Sequence, residues 1–308
     1  MAPGERFGRQ MRQLADKLLA ATLLVSALLL TSVSCAQSTP AASPDPARLR
    51  SETVAVFDRY VRQTNERDEI ELKRGSALLW IDSLPETQRS EAYAALKRGE
   101  VQIHQLSTPD NGKPTVCPGG MIHHWVGVVF IPGAKLDDVL AVLEDYDHQS
   151  TYYSPDVERS KIESRDGDHF RVFLRFHRHK VITVVLDTEH EVHYFHDAPA
   201  RAHSRSSAVR IAEVENPGKS YEREKRPGDD GGFLWRMETW WRMEERDGGV
   251  YVQSEAASLT RDIPTGLGWL VGPFVTSIPK ETLAFTLDAT RKAVMARPRS
   301  NPKAEITR

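Results

Sequence analysis

The sequence predicts an α+β fold: a curved antiparallel β-sheet wrapped around one long C-terminal helix, with an N-terminal helical extension. Three observations predict it. Alternating, strand-like runs succeed one another between residues 158 and 260 with few helical patterns among them, which implies an antiparallel sheet. Asp247-Gly248-Gly249 joins two of those runs with a strong hairpin signature. A single amphipathic stretch, residues 279–296, then closes the pattern, and its apolar stripe (Leu283, Leu287 and Val294, with Thr286 and Thr290 between) is buried only by lying across a face of the sheet.

The elements follow in order. Arg6, Arg9, Arg12 and Lys17 precede an apolar run from Leu18 to Leu30 and the small residues Thr31–Ala36. Positive flank, short apolar run and small-residue cleavage site are the parts of a secretory signal, so residues 1–36 read as a signal peptide cut after Ala36. The run is shorter than the roughly 20 residues a spanning helix needs. Cys35 gives an alternative form, acylation of a lipoprotein cysteine, although Ser32-Val33-Ser34 lacks the leucine that usually precedes it. The protein is therefore expected outside the cytoplasm, in a periplasmic or extracellular setting. Residues 37–46 read as a flexible linker.

A helix is expected from Ala47 to Arg67, with Val54, Phe57, Tyr60 and Val61 at helical spacing, and a second from Pro85 to Lys97, stopped by Gly99. Val101–Leu106 alternates as a short strand, and the loop 107–120 reads as the boundary between a 47–120 extension and a 121–296 domain. Met121–Ile131 reads as a long strand ended by Pro132-Gly133, followed by a helix on Leu136, Val139, Leu140 and Leu143. Strands are expected at 158–164, 169–176, 180–187, 189–195, 205–214, 233–245 and 250–260, and a tail at 297–308.

Composition narrows the function classes. The 308-residue chain carries 41 basic and 43 acidic residues, a formal charge of −2, with no footprint for nucleic acid. Cys35 and Cys117 are its only cysteines, so stability is expected from a buried core rather than disulfides. There is no phosphate-cradling glycine loop, no G-x-S-x-G and no HExxH; His190, His193 and His196 are three apart, which alternates faces on a strand. No metal or other cofactor is predicted.

With the elements in place, Ile131-Pro132-Gly133, the helix ending in Asp145-Tyr146-Asp147, the Asp247–Val252 hairpin and Ser277-Ile278-Pro279 opening the last helix resemble the START/SRPBCC helix-grip superfamily. The resemblance spans residues 121–296 and extends to a group of exported bacterial proteins with an N-terminal helical extension. It implies a cavity between sheet and long helix that takes lipids, isoprenoids, polyketides or other hydrophobic molecules.

Period-2 reading places Phe233, Trp235, Met237, Thr239, Trp241 and Met243 on one face, an aromatic and Met-containing wall suited to such a ligand. The ligand-contact candidates are Trp125, Phe173, Phe233, Trp235, Met237, Trp241, Trp269, Leu283 and Leu287. His123, His124, Arg171, Arg175 and Glu255 are the polar-anchor candidates, the arginines reading most simply as a solvent face. The segment 260–270, with Leu267, Trp269 and Leu270, has the composition of a gate or a membrane-touching loop. The expected function is binding or carrying a hydrophobic small molecule. Two alternatives stand beside it: an enzyme of cyclase or hydrolase type using the same cavity, with His123, His124 or Glu255 as acid–base groups, and a protein-interaction module docking a partner through residues 47–106.

Overall fold

The computed structural model describes residues 47–75, 78–110, 112–179, 183–262 and 268–297, with backbone only for 47 and 268–276. The expected signal segment, linker and tail beyond Arg297 lie outside these residues. Among the described residues, eight strands form one antiparallel path, β2 (Gln102–Gln105), β3 (Gly120–Pro132), β11 (Gly249–Arg261), β10 (Arg236–Arg246), β7 (Arg201–Glu215), β6 (Thr183–Ala198), β5 (His169–His179) and β4 (Val157–Asp166), and the short β8 (Arg223–Glu224) pairs with β7. The sheet does not close into a barrel. A small ladder elsewhere joins β1 (Ala47–Arg48) to β9 (Asp229–Asp230).

Tight antiparallel turns hold this order. Asp247-Gly248 sits at the β10–β11 turn with both residues at positive φ, a conformation glycine adopts freely. Residues 180–195, expected as two strands, belong to one from Thr183 onward: β6 runs unbroken, and a register shift at Glu189/His190 against β7 takes up the irregularity.

Helix α5 (Gly268–Ala296) lies on the concave face. Leu283, Leu287 and Val294 enter one core with Val129, Ile131, Phe170, Val172, Val192, Met243, Val250 and Val252, as their spacing predicts. The helix begins eleven residues earlier than Pro279 suggests. Proline favours a helix start but is tolerated inside a helix at the loss of one hydrogen bond, and the chain runs helically through both Pro273 and Pro279. The helix packs tightly over Gly127: a Cβ there would stand 2.6 Å from Leu287 Cδ1 and 3.3 Å from Leu283 Cδ2. Helix α3 (Leu136–Leu143) and Tyr146 close the same core at one end, and the one-turn α4 (Gln149–Tyr152) adds Tyr152 to its margin.

The outer face is covered too. Helix α1 (Ser51–Arg74) buries Phe57 and Tyr60 against Trp235, Trp240, Ala257 and Leu259, and α2 (Glu86–Lys97) buries Ala92 and Leu96 against Val128, Phe130 and Tyr251. β2, read as part of the extension, is hydrogen-bonded to β3 in the main sheet.

Candidate ligand cleft

The registers place one cross-strand row on the concave face as Trp125, Ala256, Thr239 and Ser206, and the next as Gly127, Ser254, Trp241 and Ser204. Beyond the first row stand His123 and Ser258, paired across β3 and β11, with Met237 opposite Ser258 on β10. Small side chains fill the middle of this face, and two tryptophans and a methionine stand among them. Small residues let the helix approach closely at Gly127, while Trp125, Thr239 and Ala256 in the neighbouring row stay only partly covered.

Burial is graded along the strands. Val129, Ile131, Met243, Val250, Val252 and Ala202 are fully packed under α3 and α5, whereas Trp125, Met237, Thr239, Trp241, Ala256, Ser258 and Ser206 are all only half-buried. One end of the concave face is sealed and the other is half-open. β11 finishes at Arg261 opposite Gly120, so the chain leaves the sheet for α5 at the half-open end.

Among the described residues, two buried polar atoms on this face have no partner, the indole Nε1 of Trp125 and the hydroxyl of Ser204. Their neighbours are satisfied. His123 Nε2 bonds Thr260 Oγ1 at 3.0 Å, and His190 Nε2 bonds Thr188 Oγ1 at 2.9 Å. Burial lowers the His123 imidazole below its ordinary range and pulls His190 down to about 4, so both stand neutral at physiological pH.

Of the residues expected to contact a ligand, the structure brings Trp125, Met237, Trp241, Leu283 and Leu287 together around this face. The backbone of Trp269 lies in the first turn of α5; Leu267 lies outside the described residues. Three expectations change. Trp235 does not share a face with Met237: β10 starts at Arg236, and Trp235 packs with Phe57, Tyr60 and Trp240 beneath α1, its Nε1 donating to Asp230 Oδ1 at 3.0 Å. Alternation holds only inside a strand, and the chain bends at Phe233 and again at Trp235 before the strand begins. Phe233 precedes the strand as well and covers Gly231. Phe173 stands on the outer face, its ring beneath the Arg159 guanidinium at 5.9 Å, because it alternates with Val172 and Leu174, which face the core.

The polar anchors divide by the same rule. His123 and His124 are adjacent on β3 and so point to opposite faces. His124, 1% exposed, lies beneath α1, bonded through Nδ1 to the Tyr60 hydroxyl at 2.7 Å and through Nε2 to Glu255 Oε1 at 2.8 Å. Burial works against ionisation of Glu255, but the bond to His124 and the charges of His124, Arg67 and Arg242 outweigh it and hold the carboxyl below its usual range. Arg175 forks onto both Asp187 oxygens at 2.6 and 2.7 Å, and Arg171 pairs with Glu189 at 2.7 Å. Neither arginine stands on the concave face: Arg171 is exposed on the outer face, as expected, whereas Arg175 is buried there by its ion pair with Asp187.

Nothing in the sequence singles out Ser204 or Ser254 as wall positions. The available signal is small polar residues alternating on strands that flank Trp241, a pattern as common on solvent faces.

No protein-family model matches the chain, and no curated protein matches it. Several solved structures align with part of the chain. A STAR-related lipid transfer protein fragment from Xanthomonas axonopodis aligns at 20% identity and a TM-score of 0.40, covering 62% of this chain and 98% of that one. The Zhui aromatase/cyclase from a Streptomyces species aligns at 15% identity and 0.38, covering 58% and 98%. The human StarD13 lipid transfer and protein localization domain aligns at 10% identity and 0.38, covering 70% and 99%. The antiparallel strand order, and the C-terminal helix lying in the concave face of the sheet, give this chain a helix-grip fold.

Proposed function

We propose that the protein binds or carries a hydrophobic small molecule, of lipid, isoprenoid or polyketide-like character, between the concave face and α5. The observation that carries this reading is the half-open wall: tryptophan and methionine among small residues, in contact with a sealed apolar core, left partly uncovered although a helix lies on the sheet. An apolar molecule entering there removes this surface from water, at roughly 25 cal/mol per Å².

Displacement of a fluorescent hydrophobic probe tests the assignment. Trp241→Ala is expected to weaken probe binding by about tenfold or more, whereas Trp235→Ala, on the opposite face, leaves binding unchanged in protein that is still folded. Equal effects of the two substitutions would show that the concave wall is not the binding surface. Of the three acid–base candidates of the enzyme alternative, His123 stands on the concave face, whereas His124 and Glu255 meet beneath α1.

Export belongs to the same proposal and is supported by the charged, apolar and small-residue order of residues 1–36. N-terminal sequencing of the protein from its own host is expected to start after Ala36; a chain retaining residues 1–36 in the cytoplasm would contradict it. On composition, Leu267, Trp269 and Leu270 are assigned the gate or membrane-touching segment.

A further inference from the structure

The chemistry of the ligand follows from which polar groups stand on the concave wall, given the proposed binding function on which it rests. We infer that the bound molecule is uncharged and carries at least one hydrogen-bonding oxygen, a ketone, ester or alcohol group on an apolar body, which engages the indole N–H of Trp125 and the hydroxyl of Ser204.

The two orphaned atoms set the polar requirement. An indole nitrogen only donates, so Trp125 needs an acceptor; a serine hydroxyl either donates or accepts. Ser204 is 1% exposed, and Trp125 Nε1 is buried within a half-buried side chain, so water does not reach either atom. A buried polar atom without a partner is a standing cost to the fold, which a ligand supplying the missing bond removes. Four polar side chains turned toward this core have partners of their own: His123 with Thr260, His190 with Thr188, Tyr194 with Tyr146 and Tyr153 with Thr290. The orphans stand on β3 and β7 and flank the two strands that carry Ala256, Thr239 and Trp241, so a molecule lying across those strands meets one at each side.

Charge narrows the class further. Among the described residues, charged side chains on the concave side of the sheet sit toward strand ends and are already paired: Glu245 with Lys135, Glu213 with Lys225, Arg178 with Asp156 and Arg165 with Glu144. The middle of the wall holds Ser204, Ser206, Thr239, Ser254, Ser258 and neutral imidazoles. A carboxylate or phosphate brought there would lose its hydration with no cation to replace it, a penalty far larger than that for a neutral oxygen. Orphaned atoms and missing cations select the same ligand class.

The test is a matched series displacing a fluorescent hydrophobic probe at neutral pH: a methyl ketone, a carboxylate and an alkane, each with a twelve-carbon chain. The ketone is expected to bind about tenfold or more tightly than the carboxylate. Trp125→Phe keeps the ring and deletes the N–H; it should weaken the ketone by about three- to tenfold and leave the alkane unchanged. Ser204→Ala should do the same to the ketone or to the matching alcohol. A carboxylate binding as well as the ketone overturns the inference, and so does a ketone affinity untouched by either substitution. If the alkane displaces the probe and the ketone gains nothing over it, the apolar cleft stands and only this inference falls. If no member of the series displaces the probe, the binding function falls and takes the inference with it.

Discussion

Asp68 and Arg242 meet beneath α1, their side chains 4% and 2% exposed, across 174 residues of sequence. The guanidinium also donates to Glu71 Oε2 and to the Leu78 carbonyl, each at 2.7 Å, so the covering helix is fastened to the outer sheet face by a buried pair with the half-exposed Glu71 at its rim. Such a pair does little for stability compared with apolar packing, but losing one partner strands the other without water. Asp68→Ala is therefore expected to cost about 3–5 kcal/mol, measured as a change in the urea unfolding free energy. A change below about 1 kcal/mol would mean that the cluster is not holding the helix down.

The tight packing of α5 over Gly127 gives a second prediction. Gly127→Ala places a methyl against Leu287 and Leu283 and should destabilise the fold by about 1–3 kcal/mol. Leu287→Val alone should cost about 1 kcal/mol, while the double substitution should cost less than the two singles added, because the shortened side chain makes room. Strict additivity in that thermodynamic cycle would contradict direct packing of α5 on β3.

His190 supplies a pH dependence. Its folded-state value of about 4 lies below the ordinary 6.5, so the unfolded chain binds this proton more tightly than the folded one. The contribution is fully favourable above about pH 6.5, falls as pH drops toward 4, and is constant below that. The loss is on the order of 3 kcal/mol, since each tenfold difference in proton affinity between the two states is worth about 1.4 kcal/mol. His190→Gln should flatten the stability difference between pH 7 and pH 4.5 relative to the parent chain. Parallel curves for the two proteins would show that His190 titrates normally.

Glu238 acts in the opposite direction. Burial raises its carboxyl to about 7, against the downward pull of the Ser207 hydroxyl bond and of Arg205. A folded value above the unfolded one means that stability is present below about pH 4.5 and is lost as pH rises through 7. Glu238→Gln is expected to gain on the order of 2 kcal/mol at pH 8 and nothing at pH 4. A variant no more stable than its parent at pH 8 would show that burial does not hold this carboxyl protonated.

The fold is legible from local pattern because its parts are local. The hairpin at Asp247-Gly248, the stripe Leu283–Leu287–Val294 and the alternation Met237–Thr239–Trp241–Met243 each sit within one element, and each is where the pattern puts it. What stays hidden depends on where elements begin and what lies far away in sequence. Simple alternation puts Trp235 on the wrong face because no local signal marks the strand start at Arg236. Phe173 reads as a ligand residue by its aromatic character, against its own parity. His124 and Glu255 look catalytic as residue types, yet strand parity and a helix some 190 residues from Glu255 turn them into a buried structural cluster. Ser204 and the Trp125 indole are recognisable as site residues only once their missing partners are seen in three dimensions.

Whether the concave wall holds a hydrophobic guest is decided by native mass spectrometry of the protein purified from its own host. One co-purifying apolar molecule per chain is expected, released by organic solvent and neutral in charge. An empty chain that also fails to take up a hydrophobic probe would refute the binding function, leaving the half-open face as surface without a ligand.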